Sequence, residues 1–304
     1  MTVTKGQRVG VLMGGMSSER AVSLKSGKAV LGALKDRGWD AVGIDVGPDL
    51  AARLTEEKVK VAWLALHGRY GEDGCVQGML EVMQIPYTGS GVLASSVAMD
   101  KAATKRMLRG VDGLVMARDA LVGAGAPLPD LTLPIILKPV RGGSTIGVTK
   151  VYHAEEWDAA LASTTAEGAE ILVEELIVGD EITVAVVDGR ALPVVRILPD
   201  SGFFDFEAKY TEGRTVYEAP ARVAPSVFTA AQLAAEAAYR TLGCRGLARS
   251  DFMIRADGTP IFLEINTIPG MTATSLSPMA ASCLGEDFPA LVERILLSAT
   301  LDPR

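Results

Sequence analysis

The sequence predicts an α/β fold that passes, in its second half, into an α+β arrangement. Three observations carry this prediction. The first ninety-odd residues alternate apolar strand runs with amphipathic helical runs, the pattern of an open parallel sheet. From about residue 181 onward the pattern changes to hairpins around one alanine-rich helix. With 304 residues, 48% hydrophobic and 22% charged, the chain is globular and long enough for two or three domains.

Taken in order, RVGVLMGG (8–15) is a strand ending in glycines, and SSERAVSLKSGKAVLGALKDRG (17–38) is a helix with a serine cap and a glycine stop. WDAVGIDV (39–46) and KVAWLALHG (60–68) are strands, and CVQGMLEVMQ (75–84) is a helix after a glycine-rich loop. Ligands of such sheets sit beyond the carboxyl ends of the strands, where Gly14, Gly15, Glu19 and His67 lie. There is no G-x-G-x-x-G, so no dinucleotide site is expected. After the YTGSG turn, VLASSVAMDKAATKRMLRG (92–110) reads as one helix, and a Gly/Ala/Pro-rich connector (122–134) leads into a second sheet. Its pieces are PIILKP (134–139), GVTKV (147–151), the acidic helix EEWDAALAS (155–163) and ILVEELI (171–177). EITVAVV (181–187) opens the hairpin region, TAAQLAAEAAYRTLG (229–243) is its helix, and ALVERILLSA (290–299) is the last helix.

The hairpin ARSDFMIRADGTPIFLEIN carries chemistry. Asp257-Gly258 between two strand runs is a turn signal, and a two-residue turn pairs 256 with 259. Asp251 then faces Glu264, Arg249 faces Asn266, and all four share one side, while Phe252, Ile254, Leu263 and Ile265 share the other. A solvated outer face is the plain reading of a lone Glu-x-Asn. Two carboxylates directly opposite each other repel, however, by about 3 kcal/mol at roughly 5 Å and an effective dielectric near 20. A divalent cation removes that cost, and three hard oxygen ligands (Asp251, Glu264, Asn266) suit Mg²⁺ beside a phosphate.

Composition excludes other classes. A net charge of −7 gives no general field for nucleic acid, so anionic substrates must find locally placed lysines and arginines. No apolar run reaches the length of a membrane span, and the N-terminus has no secretory apolar region. Cys75, Cys244 and Cys283 are scattered and His67 and His153 are the only histidines, which argues against zinc and disulfides and fits a reducing cytoplasm. LKPVRGGSTIGVTKV (137–151) puts Lys138 at a strand end before a Gly/Ser loop whose N–H groups can approach phosphate oxygens. This is not the Walker arrangement, in which Gly-Lys-Ser/Thr opens a helix. ILVEELIVGDE (171–181) offers Glu174 and Glu181 at a junction where backbone groups can read an adenine edge and a carboxylate can take ribose hydroxyls.

Together GGMSSERAVSLKSG, ALHGRYGEDGCVQGMLEVMQIPYTGSG, MDKAATK, LKPVRGGSTIGV, FEAKY, RSDFM and LEINTIPGMTATSLSPM follow in the order found in D-alanine–D-alanine ligases. The resemblance runs over essentially the whole chain. It implies an ATP-grasp fold with an N-terminal open parallel α/β domain, here 1–95, a central domain, 96–180, and a C-terminal domain, 181–304. It further implies a cytoplasmic, homodimeric, ADP-forming ligase of peptidoglycan synthesis that joins two D-alanines with ATP and two Mg²⁺ (or Mn²⁺).

By the same resemblance, Lys101 and Lys138 hold ATP phosphates, Glu174 and Glu181 hold adenine and ribose, and Lys209 reaches the γ-phosphate. Asp251, Glu264 and Asn266 bind the metals. Glu19 holds the ammonium of the first D-alanine and His67 sits near its carboxylate; Ser144 and Tyr210 link loop closure to Glu19. Arg249 and the Gly270 N–H are oxyanion donors, and Ser275 and Leu276 meet the carboxylate of the second D-alanine. The chain departs from the family's pattern at Ala21, where a second glutamate is common, at Gly142 and Thr145 in the glycine loop, and in a short connector near 112–134. Rival readings are a ligase that takes D-lactate or D-serine second, a kinase that stops at phosphorylation, and a non-catalytic nucleotide-binding protein. The intact acidic set and the 270–276 segment argue against the last two.

Overall fold

The structure, a computed structural model, describes residues 3–142, 147–166, 170–200 and 214–302. The N-terminal sheet consists of β1 (Val9–Met13), β2 (Ala41–Asp45) and β3 (Val61–Leu64), parallel and in the order β2-β1-β3. Every residue of β1 and β3 is buried, as expected of parallel strands covered on both faces. α1 (Arg20–Asp36) covers one face, and α2 (Leu50–Glu56) and α3 (Cys75–Val82) contribute to the other core. The far end of the chain completes the first core: α9 (Phe288–Leu297) inserts Leu291, Val292 and Ile295 against Val11, Trp39 and Trp63. Glu293 of that helix accepts from Arg37 Nε (2.6 Å) and Trp39 Nε1 (2.8 Å).

Two expected features differ. The serine cap of α1 is not formed. Ser17 Oγ accepts from the Glu19 N–H (3.2 Å) and donates to the His67 carbonyl (2.7 Å), tying the start of α1 to the loop after β3. The helix expected over 92–110 is two helices, α4 (Val92–Met99) and α5 (Lys101–Leu108). Asp100 breaks it: its backbone is extended (φ −105°, ψ 103°) and its carboxylate caps α5 by accepting from the Ala103 N–H at 2.9 Å. The same carboxylate takes Arg141 Nε (3.1 Å), and the Lys101 N–H donates to the Val140 carbonyl (3.1 Å). The break thus docks α5 on the end of a strand.

After β4 (Val115–Met116), a second, antiparallel sheet contains β5 (Asp119–Gly123), β6 (Ile135–Pro139), β7 (Thr149–Val151) and β8 (Glu170–Glu175) in the order β5-β8-β6-β7. α6 (Trp157–Thr165) covers one face, with Trp157, Ala160 and Leu161 on Ile135, Leu137, Ile171 and Val173. The third sheet contains β4, β9 (Asp180–Val187), β10 (Arg190–Ala191), β11 (Val195–Pro199), β12 (Thr215–Glu218), β13 (Leu247–Ile254) and β14 (Pro260–Asn266). Their order is β12-β11-β9-β13-β14-β4, with β10 beside β9. α7 (Pro225–Thr241) lays Ala231, Ala234, Ala235 and Ala238 on this sheet, and the small side chains let helix and sheet approach closely. α8 (Leu276–Ser282) follows β14 by a loop. Among the described residues, no helix is long and apolar enough to cross a membrane.

The β13–β14 hairpin corrects the expected turn while preserving the expected site. Ile254 pairs with Pro260, and the Arg255 N–H donates to the Thr259 carbonyl (3.0 Å), so the loop has three residues, Ala256 to Gly258. Gly258 at φ +84° closes it in the left-handed region, as three-residue hairpin loops require. That loop alone would shift Asp251 off Glu264. A β-bulge between Asp251 and Phe252 restores the register, so that Asp251 faces Glu264 and Arg249 faces Asn266. The bulge also re-aims Leu263. It was expected in the core with Phe252, but it lines the cavity described below; Phe262 takes the core position, edge-on to Phe252 at 5.7 Å.

Candidate active site

A cavity of about 500 Å³ lies between the second and third sheets. Ile136, Lys138 and Glu174 line it from one side, and Glu181, Ile197, Asp251, Met253, Leu263 and Glu264 from the other. The 175–179 link between β8 and β9 closes one end with Leu176, Ile177 and Val178. Apolar walls with a few charged groups at one edge suit a nucleotide, whose base is flat and whose phosphates are anionic.

Lys101 and Lys138 stand at the charged edge. Lys101 Nζ donates to the Gly142 carbonyl (2.6 Å) and lies 3.8 Å from Glu264. Lys138 Nζ lies 2.7 Å from Glu174, which also receives Lys105 on its other carboxylate oxygen. Burial pulls the Lys138 ammonium down, but the Glu174 carboxylate overrides it and the net direction is upward. Burial raises Glu174, and the two lysines more than reverse that. Lys138 is therefore charged at neutral pH. Glu174, expected at the adenine, has one oxygen committed to each lysine. Glu181 does line the cavity.

On the opposite wall, Asp251 accepts from Thr183 Oγ1 (2.5 Å) and, on both oxygens, from Arg249 (Nε 2.9 Å, Nη2 2.8 Å). Asn266 Oδ1 accepts from the Ile268 N–H at 3.0 Å, which orients the carboxamide. Asp251 Oδ1 accepts two of these bonds, Asp251 Oδ2 and Asn266 Oδ1 one each, and Glu264 stands half-exposed at the cavity wall. Among the described residues no three His, Cys, Asp or Glu side chains gather; the set is two carboxylates and an amide. It is made of hard oxygen donors on one face of a hairpin and fits Mg²⁺ or Mn²⁺.

Beyond Arg249 the N-terminal sheet supplies a second cluster. Glu19 Oε2 lies so close to the 67–72 loop that a Cβ on Gly68, at φ +68°, would stand 2.7 Å from it. Glu72 accepts from the Gly68 N–H (2.6 Å), and its carboxyl is pushed up to about 8, first by burial and then by the Glu19 carboxylate. His67 is buried. Its Nε2 faces Ser26 Oγ (3.4 Å), its ring bonds the backbone of Ile268, and burial pushes it down to about 4, so it is neutral. Ser26 Oγ also accepts from the Met271 N–H (3.2 Å), which links α1 to the Gly270 segment. Ser275 stands at the N-cap position of α8 but its side chain makes no cap bond; its Oγ accepts from the Thr272 N–H (3.0 Å), and a Cβ on Gly270 would be 3.5 Å from it. Leu276 packs on the first core.

The structure thus brings Lys101, Lys138, Glu174, Glu181, Asp251 and Glu264 to one cavity and Glu19, His67, Gly270 and Ser275 to the adjoining cluster, with Arg249 and Asn266 between. Ser144, Lys209 and Tyr210 lie outside the described residues, as does Thr145. Sequence reasoning passed over Lys105, Glu72 and Ser26. All three sit inside quoted motifs, and a signal existed for Lys105: it falls one turn after Lys101 and on the same helix face.

Two sheets closing on a cavity with paired lysines on one wall and paired carboxylates on the other define an ATP-grasp ligase fold. Comparison with known proteins agrees. Residues 126–297 match the family described as "D-ala D-ala ligase C-terminus" and residues 47–90 the one described as "D-ala D-ala ligase N-terminus". The chain belongs to the D-alanine–D-alanine ligase family. It is 47% identical to the D-alanine–D-alanine ligase of Anaeromyxobacter sp. (strain K), with 99% of each chain covered. It superposes on the Bacillus anthracis D-alanine–D-alanine ligase complexed with ATP at a TM-score of 0.84, with 33% identity over 96% of this chain and 97% of that one. The VanG D-Ala:D-Ser ligase of Enterococcus faecalis is similar at a TM-score of 0.82, with 28% identity over 96% and 98%.

Proposed function

We propose that this chain joins two D-alanines to D-alanyl-D-alanine with ATP, through an acyl phosphate, as a step in making peptidoglycan precursor. The observation that carries this reading is the adjacency of the nucleotide cavity to the Glu19–Glu72 cluster, with Arg249 between them. Burial, and then the Glu19 charge, raise the Glu72 carboxyl, so that it takes up a proton near neutral pH. A substrate ammonium takes the place of that proton, which fits the amine of an amino acid.

In this reading Lys101 and Lys138 bind phosphate oxygens, the 175–178 link meets the adenine edge, and Glu181 takes the ribose. Glu174 acts through Lys138 in place of contacting adenine. Asp251, Glu264 and Asn266 would hold Mg²⁺, which when bound neutralises phosphate charge. Lys209 meets the γ-phosphate, and Ser144 and Tyr210 close the loop over Glu19. A carboxylate is a poor electrophile, so an oxygen of the first D-alanine attacks the γ-phosphorus and the bond to the β-phosphate oxygen breaks, releasing ADP. The amine of the second D-alanine, deprotonated, then attacks the acyl carbon. Arg249 and the Gly270 N–H stabilise the tetrahedral oxyanion, at roughly 3 to 4 kcal/mol per good donor. The C–O bond to phosphate breaks, and Ser275 and Leu276 orient the second carboxylate. His67, neutral and held by Ser26 and the Ile268 backbone, positions the loops around the first D-alanine. The chain divides near residues 95 and 180 and works as a cytoplasmic homodimer.

The test of the acyl phosphate is isotopic. With the carboxylate of D-alanine labelled with ¹⁸O, one label per turnover should appear in inorganic phosphate; unlabelled phosphate would refute the mechanism.

A further inference from the structure

α5 carries a second lysine that the mechanism does not use. Lys105 is buried, with its side chain 3% exposed, and does not line the cavity. Its Nζ donates to the Ala117 carbonyl (3.0 Å), lies 3.4 Å from Asp119 Oδ1, and bonds Glu174 Oε1. Lys138 takes the other oxygen, Oε2. Asp119 and Glu174 are direct register partners on β5 and β8, so the charges form a row that runs inward from the surface: Asp119, which also meets exposed Arg109 (3.3 Å), then Lys105, Glu174 and Lys138.

The row poses a physical question. A lysine buried here costs desolvation, and an apolar side chain of similar volume would fill the same space without it, so stability alone gives no reason for the ammonium. Its effect on Glu174 does. A buried carboxylate with one cation closes both oxygens on it and neutralises it, and a neutralised Lys138 has little attraction left for phosphate. Lys105 pulls Oε1 to the far side, so that Glu174 orients Lys138 through a single oxygen. We infer that Lys105 is a positioning residue for the nucleotide's phosphates: it shares Glu174 with Lys138 and leaves the Lys138 ammonium available to the ligand. The inference rests on the nucleotide reading of the cavity given above.

The test is calorimetry on the full chain with two probes, ADP and adenosine, which differ in the phosphates. Lys105→Met should weaken ADP by about tenfold and leave adenosine within about twofold. Asp119→Asn removes the competitor for Lys105 on the partly exposed side and should tighten ADP by about twofold. Equal losses for ADP and adenosine in Lys105→Met would reduce Lys105 to a scaffold and overturn the inference, as would unchanged ADP affinity. Should Lys105→Met fail to fold, Asp119→Asn decides alone: tighter ADP supports the inference, and equal or weaker ADP overturns it. Absence of ADP binding to the wild type, or unchanged ADP affinity in Lys138→Ala, would instead overturn the nucleotide reading.

Discussion

Replacing His67 with Asn should remove a large share of the protein's acid sensitivity. The imidazole sits between Ser26 and Ile268, and burial, aided by the nearby Arg249 charge, lowers it from 6.5 to about 4. At about 1.4 kcal/mol per unit this represents roughly 3 kcal/mol of coupling between folding and deprotonation. The unfolded chain binds a proton below its ordinary value while the folded chain does not, so the contribution is present above pH 6.5 and is lost as pH falls toward 4. Between about pH 7 and pH 4.5 the wild type should lose roughly 2 kcal/mol through this one group. Asn keeps a short amide donor for the Ile268 backbone but cannot titrate. Urea unfolding of both proteins across this range gives the comparison, and other groups cancel in the difference. The two curves should converge as pH falls; parallel curves would mean that His67 is not a buried neutral imidazole.

Glu264→Gln keeps the hairpin and removes one of the two facing carboxylates, so ligation at saturating Mg²⁺ should fall by about 100-fold or more with the melting temperature retained. Turnover within about tenfold of wild type would refute the metal assignment. Lys138→Ala should weaken ATP binding and slow ADP release, leaving D-alanine affinity without nucleotide unaltered; the reverse pattern in calorimetry would place the glycine loop at the amino-acid site. Tyr210→Phe should keep ATP binding and gain measurable D-alanyl-D-lactate, more at lower pH where the competing amine is protonated. An unchanged product ratio by mass spectrometry would remove the proposed role of Tyr210.

The acidic hairpin was legible in the sequence because strand alternation puts Arg249 and Asp251 on one face of β13 and Glu264 and Asn266 on one face of β14; that the two faces coincide depends on the register, which the bulge restores. Its details were not. The Asp-Gly signal suggests a two-residue loop, and only the pairing shows the three-residue loop and the compensating bulge that sends Leu263 to the cavity. The break at Asp100 was hidden because the residues on both sides form helix readily; what decides it is Asp100's bond to Arg141, 41 residues away. Lys105 and Ser26 were missed for a similar reason. Their partners, Glu174 and Met271, are brought close only by tertiary packing. The parallel N-terminal sheet was legible because its buried runs are continuous; the closure of its core by α9, from the other end of the chain, was not.

In the proposed function one cavity activates with ATP the carboxylate of a D-alanine held by the adjoining cluster, and the amine of a second D-alanine attacks it. ADP release measured separately with D-alanine, L-alanine, D-serine and D-lactate, each alone and each paired with D-alanine, and with every product identified by mass spectrometry, tests it most directly. The expected result is ADP formation with D-alanine, stoichiometric with D-alanyl-D-alanine, none with L-alanine, and negligible D-alanyl-D-lactate at neutral pH. ADP formed without dipeptide, or a preference for D-serine or D-lactate as the second substrate, would contradict it.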